Sequence, residues 1–290
     1  MSTRDAEPIG FVGLGTIGRP MVESMLRAGT PALVNDVDAS VVEQVVALGA
    51  EFAPSLSALA ARTRLVGVCV PADAHVRAVL GGPNGLLAHL APGAVVAIHS
   101  TVLPETIAWA DAEARARGIA VVEAAVTGGA AAAAAGRSTF LLGGDPVDIA
   151  RLEPLLAACG EVRVHAGGLG QASRLKLCVN LQSYATFMAV FEAATLAARL
   201  GLSLDALKAA MRANGQLGEM VETYLLLHEF SEEDFADPET RAVLASYATI
   251  IEKDLDLIVR LAESVSVDVP AAELAGSLAR RVYFLEESST

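Results

Sequence analysis

Three glycines in Gly13-Leu14-Gly15-Thr16-Ile17-Gly18 follow directly on the apolar run at 9–12 and precede a helix-compatible segment that opens at Pro20. On a strand-to-helix turn this spacing cradles a pyrophosphate. Gly13 allows the tight turn, Gly15 lets the backbone approach the anion, and Gly18 lets the helix pack closely on the strand, with Leu14, Thr16 and Ile17 completing the loop. The helix N-terminus adds free N–H groups and partial positive charge. A second apolar run at 32–35 ends at Asp36, which lies 23 residues beyond Gly13, where an acid that accepts both ribose hydroxyls of a dinucleotide is expected. Its charge would repel a 2′-phosphate, and Val37-Asp38 bring no arginine to attract one, so NAD is expected over NADP.

Other reactive side chains are sparse. No two of the five histidines are spaced as metal ligands, and neither HExxH nor CxxC occurs, so no metal is expected. His75 and His99 fall near the nucleotide segments as rival bases, without a spacing that argues for either. Cys69, Cys159 and Cys178 are too few and scattered for a disulfide framework and read as reduced core residues.

The elements that must hold these residues alternate. Apolar runs at 9–12, 32–35, 65–70, 94–99, 120–123, 139–142 and 161–165 are separated by segments of helical periodicity, such as 20–27 and 39–48, which is the pattern of βαβ units and a parallel sheet. After Gly170 strand-like runs nearly vanish, and apolar residues recur at three- and four-residue intervals over 171–200 and 242–262. The expectation is an α/β chain: a Rossmann-type doubly wound parallel sheet over 1–165, followed by an all-helical domain over 166–290. A length of 290 residues with 53% hydrophobic residues suits two cores.

Charge and hydropathy narrow the function. With 21 Lys+Arg against 34 Asp+Glu the net charge is −13, the wrong sign for nucleic acid. No run approaches a membrane span. The opening Met1-Ser2-Thr3-Arg4-Asp5 leaves no room for a secretory apolar region before Gly10, so a cytoplasmic location is expected.

Gly10-Phe11-Val12-Gly13-Leu14-Gly15-Thr16-Ile17-Gly18-Arg19-Pro20-Met21 resembles the opening signature of the β-hydroxyacid dehydrogenase family, which includes 3-hydroxyisobutyrate dehydrogenase. The resemblance continues through Val70-Pro71, His99-Ser100-Thr101-Val102, Glu123-Ala124-Ala125-Val126-Thr127-Gly128-Gly129, the stretch from Gly170 to Asn180, and Lys253-Asp254-Leu255, so it covers nearly the whole chain. It implies a Rossmann domain, a helical domain like that of 6-phosphogluconate dehydrogenase, and oxidation of a hydroxyl β to a carboxylate, or the reverse. It also implies that Thr127, Gly128 and Gly129 bind the substrate carboxylate, through a hydroxyl and unobstructed backbone N–H groups. Glu123, Ala125 and Thr127 stand where Asp, Pro and Ser are usual; the extra methyl of Thr127 would reshape the pocket.

By the same resemblance Lys176 is the catalytic candidate, with Asn180 one helical turn on. In an apolar cleft beside an oxidised nicotinamide its charged form would be disfavoured, leaving it able to take the hydroxyl proton while hydride leaves carbon. In many members the lysine follows a glycine by four residues, which here lands on Arg174. An arginine does not deprotonate, and it lies on a different helix face from Lys176. Val70, Pro71 and Thr101 at strand ends, and Lys253 from the helical domain, carry over as cofactor contacts.

Two rival readings remain: an imine reductase of similar architecture, in which other residues commonly replace the lysine, and a nucleotide-binding sensor or scaffold without catalysis. A small anionic hydroxyacid is the expected substrate and a homodimer or homotetramer the implied assembly. Residues 215–239 match no motif and are candidates for a pocket wall.

Overall fold

The computed structural model describes residues 7–286; the opening Met1 to Asp5 lie outside them. The chain divides into two compact units at Lys176/Leu177.

In the first unit, β1 (Ile9–Val12), β2 (Ala32–Asn35), β3 (Glu51–Phe52), β4 (Leu65–Val68), β5 (Val95–Ile98), β6 (Ala120–Thr127), β7 (Thr139–Gly143) and β8 (Val162–Gly167) form one sheet in the order β3-β2-β1-β4-β5-β6-β7-β8. Its helices are α1 (Gly18–Arg27), α2 (Ala39–Ala47), α3 (Leu56–Ala60), α4 (Asp73–Leu80), α5 (Pro104–Arg115), α6 (Gly129–Ala134), α7 (Pro146–Arg151) and α8 (Glu153–Cys159). The order reverses at β1, which pairs in parallel with β2 on one side and β4 on the other. Ligands of such sheets bind at this switch, outside the strand C-termini.

The strands read as apolar runs because both faces are covered. Ile9, Phe11, Val34, Val95 and Ala97 enter one core cluster, with Met21 and Met25 of α1. The alternate residues Val12, Leu33, Val96 and Ile98 enter another, with Val76 and Leu80 of α4. A period of two with both faces buried leaves no polar alternation.

One pairing differs from a wholly parallel expectation. β6 runs on to Thr127 and pairs antiparallel with β7, Thr127 facing Thr139, because the connection carrying the short α6 returns the chain to the end of the sheet where β6 finishes. β3 is two exposed residues at the sheet edge and has no sequence signature. Residue 165, the expected boundary, falls inside β8, whose pairing with β7 continues to Gly167.

The long α9 (Gln171–Arg199) spans the division, and α10 (Leu204–Ala213), α11 (Glu219–Leu225), α12 (Glu232–Ala236), α13 (Pro238–Ser264) and α14 (Pro270–Val282) complete the second unit. In a chain with only 4% aromatic residues, this unit concentrates them. Phe187 stacks on Tyr224 at 4.7 Å, Phe235 stacks on Phe284 at 4.7 Å, and the Tyr224 hydroxyl donates to Val282 O at 2.8 Å. Tyr224, His228, Phe230 and Phe235 all belong to 215–239, so part of that segment packs among the unit's own aromatics. Burial pushes the His228 imidazole down in pKa.

Among the described residues no helix is long and apolar enough to cross a membrane, and no group of three or more His, Cys, Asp and Glu stands as a metal site. Of the three cysteines expected in the core, only Cys159 is buried, and that burial pushes its thiol up to about 12; Cys69 is half-buried and Cys178 is exposed on α9.

Candidate active site

The glycine-rich turn is shaped by close backbone approaches. A Cβ on Gly13, at φ +95°, would meet Cys69 O at 2.2 Å, and one on Gly18 would meet Gly13 O at 2.0 Å. A Cβ on Gly15 would meet nothing within 4 Å. Two glycines build the turn and the third keeps one side of it clear, which fits a bound pyrophosphate. Asp36 follows β2 and reaches back to the turn: Leu14 N–H donates to its Oδ2 at 2.5 Å, and Asp38 N–H donates to its Oδ1 at 2.8 Å. A carboxylate has about four acceptor positions, so two remain for ribose hydroxyls.

The loops after β4 and β5 are tied together. Val70 N–H donates to Ser100 Oγ at 2.8 Å, and Leu103 N–H donates to Asp73 Oδ1 at 3.0 Å. These bonds hold half-buried Val70, exposed Pro71 and half-buried Thr101 at the strand C-termini. Neither Ser100 nor Asp73 was assigned a role from the sequence, because a loop-to-loop bond leaves no periodic signal.

His99, directly after β5, is a core residue. Its ring stacks on Phe11 at 5.7 Å, Nδ1 lies 2.8 Å from Ala124 O, and Nε2 is buried without a hydrogen-bond partner. Burial brings its pKa down to about 4. A neutral imidazole with one nitrogen committed and the other sealed in the sheet is not a base for an outside substrate. His75 is exposed on α4.

β6 carries two polar features on one face, since residues two apart share a face and Glu123, Ala125 and Thr127 are so spaced. Thr127 is half-buried, and Gly128 and Gly129 after it are exposed at positive φ. Glu123 is buried, accepting Gly170 N–H at 2.5 Å and Ser173 N–H at 2.8 Å at the start of α9. Within this helix Lys176 is only 8% exposed, whereas Arg174 is solvent-exposed. The helix thus separates the two candidate cations onto different sides.

In the second unit a buried carboxylate organises the remaining candidates. Asp254 Oδ2 accepts Asn180 Nδ2 and the Tyr184 hydroxyl, each at 2.7 Å, and Lys253 Nζ lies 2.7 Å from Oδ1. Burial, then the Asp254 charge, holds the Tyr184 hydroxyl well above the usual tyrosine range. Because the carboxylate only accepts, it orients the Asn180 amide, with Nδ2 towards Asp254 and Oδ1 turned away. Asp254 and Tyr184 were missed as site residues, although a signal existed. Ile251, Asp254, Leu255 and Ile258 recur at three- and four-residue intervals, placing an acid on the buried stripe of α13.

Residues 8–168 match the NAD binding domain of 6-phosphogluconate dehydrogenase. The NAD-dependent L-serine dehydrogenase of Pseudomonas aeruginosa is 34% identical over 273 residues, covering 94% of this chain and 91% of that protein. The chain belongs to the β-hydroxyacid dehydrogenase family. As such it is an NAD(P)-dependent oxidoreductase acting on CH–OH groups. A crystal structure of 3-hydroxyisobutyrate dehydrogenase from Salmonella typhimurium superposes with a TM-score of 0.80 at 26% identity, over 95% of this chain and 94% of that one. The imine reductase of Pseudomonas sp. shares the fold alone, at 16% identity and a TM-score of 0.66, over 95% of this chain and 93% of that one.

Proposed function

We propose that the protein oxidises a small acid bearing a hydroxyl on the carbon β to its carboxylate, with NAD as cofactor and Lys176 Nζ as the group that takes the hydroxyl proton. The observation that supports this most directly is the burial of Lys176 on α9 while Arg174 stays in solvent. In the reverse direction Nζ returns the proton to the forming alkoxide.

Gly13, Leu14, Gly15, Thr16, Ile17 and Gly18 bind the pyrophosphate portion, Asp36 the adenosine ribose, and Val70, Pro71 and Thr101 the rest of the dinucleotide. When bound, NAD supplies the hydride acceptor. The carboxylate of Asp36, followed in sequence by Val37-Asp38 and not by an arginine, supports NAD over NADP. Thr127 Oγ1 and the N–H groups of Gly128 and Gly129 hold the substrate carboxylate, and they supply local donors in a chain of net charge −13. We assign Asn180 to orienting the reacting hydroxyl and Lys253 to the cofactor. L-Serine and 3-hydroxyisobutyrate, named for the relatives, both have the required carboxylate and β-hydroxyl. Exposed Leu196, Leu200 and Leu202 at and just beyond the end of α9 support a homodimer or homotetramer.

NAD reduction across L-serine, 3-hydroxyisobutyrate, 3-hydroxypropionate, glycerate and threonate, with NADP in parallel, tests the reading. Turnover of one or more with NAD, and a fall in kcat of roughly a hundredfold or more in Lys176→Ala at unchanged NAD affinity, is the expected result. An unimpaired Lys176→Ala variant would remove the lysine from the mechanism.

A further inference from the structure

We infer that Glu123 is a positioning residue for Lys176: its carboxylate, projecting from the strand that ends in the Thr127-Gly128-Gly129 motif, caps the helix that carries the lysine and so fixes the lysine against that motif. The inference rests on the proposed role of Lys176.

A helix leaves its first N–H groups without intrahelical acceptors, and a side chain at the N-cap normally supplies one. α9 starts at Gln171 after Gly170, which has φ +85° and no side chain to offer. Glu123 supplies the missing acceptors from 47 and 50 residues away: Oε2 takes Gly170 N–H and Oε1 takes Ser173 N–H. The Ser173 hydroxyl in turn donates to Gly170 O at 3.3 Å, closing the turn on itself.

The neighbouring strand is cut to fit this carboxylate. A Cβ on Gly143 of β7 would lie 2.4 Å from Glu123 Oε2, and 3.2 Å from Ala172 Cβ on the first turn of α9. Beside the cap, Ala125 of β6 and Leu141 of β7 pack with Ala172, and half-buried Leu175 joins them. The face of β6 that carries Glu123, Ala125 and Thr127 is therefore the face on which the first turns of α9 rest. Between the last capped residue, Ser173, and Lys176 lies less than one helical turn.

Two bonds to a buried, charged acceptor define the helix start both along its axis and in rotation, which a single cap bond does not. Shortening the side chain by one methylene withdraws both oxygens from the helix. Neutralising it replaces one oxygen with an N–H donor aimed at a backbone N–H. Each change moves the start of α9 while the glycine-rich turn and Asp36, on other strands, keep their geometry.

The test compares Glu123→Asp and Glu123→Gln with wild type and Lys176→Ala, measuring kcat, KM for hydroxyacid, NAD dissociation constant, melting temperature and the pH profile of kcat. The expected result is a kcat about tenfold lower in Glu123→Asp and lower still in Glu123→Gln, with the NAD dissociation constant unchanged. The acid-side limb of the kcat profile moves to higher pH, because a lysine shifted towards solvent holds its proton more tightly. Variants that melt earlier but keep the wild-type kcat and pH limb at a temperature where they are folded would overturn the inference and leave Glu123 a structural cap. Loss of turnover in Lys176→Ala alongside that result would leave the proposed reaction standing, whereas wild-type turnover in Lys176→Ala would sink the reaction itself.

Discussion

The backbone N–H of Leu14 donates to Asp36 Oδ2 at 2.5 Å, joining two segments 22 residues apart in sequence. One carboxylate therefore braces the glycine-rich turn and keeps acceptor positions to spare, which the proposed function gives to a ribose. A sequence motif names both residues but says nothing of this bond between them.

Asp36→Asn keeps an acceptor for Leu14 and removes the charge. NAD affinity is expected to fall roughly tenfold to a hundredfold, the range set by losing a hydrogen bond to a charged group. NADP affinity is expected to fall less or to rise, because the repulsion of its 2′-phosphate is gone. Titration of each cofactor against the variant measures the ratio, and an unchanged ratio would remove Asp36 from cofactor selection.

Gly15→Ala and Gly18→Ala separate folding from binding. The Gly18 methyl would stand 2.0 Å from Gly13 O, so the backbone has to move, at a cost of roughly 3 kcal/mol or more that thermal or urea unfolding would report. The Gly15 methyl meets no protein atom within 4 Å, so that variant is expected to unfold like wild type and to bind NAD roughly tenfold or more weakly. Equal melting losses in both variants would contradict the view of Gly15 as a contact surface.

The sequence made the central strands legible because each is apolar on both faces, and the glycine turn legible because its spacing is local. It hid the extension of β6 to Thr127, since Ala124 and Ala125 signal neither strand nor helix, and it hid the antiparallel return of β7, which depends on where a short helix leaves the chain. The candidate site was legible where its residues belong to a local motif. It was opaque where one residue acts on another at long range, as Glu123 does on Ser173, Ser100 on Val70 and Asp254 on Asn180. Such bonds are made by tertiary packing, and no single-chain periodicity records them.

Asp254→Ala removes the acceptor shared by Asn180 and Tyr184 together with the ion pair from Lys253. Losing two buried hydrogen bonds to a charged group is expected to destabilise the protein by about 2–4 kcal/mol. With its Nδ2 no longer directed, Asn180 loses its fixed orientation, so turnover is expected to fall beyond what the melting loss explains, as measured by kcat well below the melting point. Asp254→Asn, which keeps an oxygen acceptor, should recover part of the stability and less of the turnover.

The imidazole of His99 lets the acid side of the stability curve be worked out with its sign. Its pKa is lowered from 6.5 to about 4 by burial in the sheet, so above pH 6.5 the folded and unfolded chains are alike in carrying it neutral. As pH falls below 6.5 the unfolded chain takes up a proton that the folded chain refuses, and stability is lost at about 1.4 kcal/mol per pH unit until the folded-state value is reached. Across that window the loss from this one residue is roughly 3 kcal/mol. His99→Phe, which keeps an aromatic ring against Phe11, is expected to flatten the pH dependence of the unfolding free energy between pH 6.5 and 4, whatever its effect at pH 7. Urea unfolding of both proteins at half-unit pH intervals measures the difference in slope. A parallel fall in the two curves would show that His99 is protonated in the fold and would reopen its case as a titrating group near the nucleotide loops.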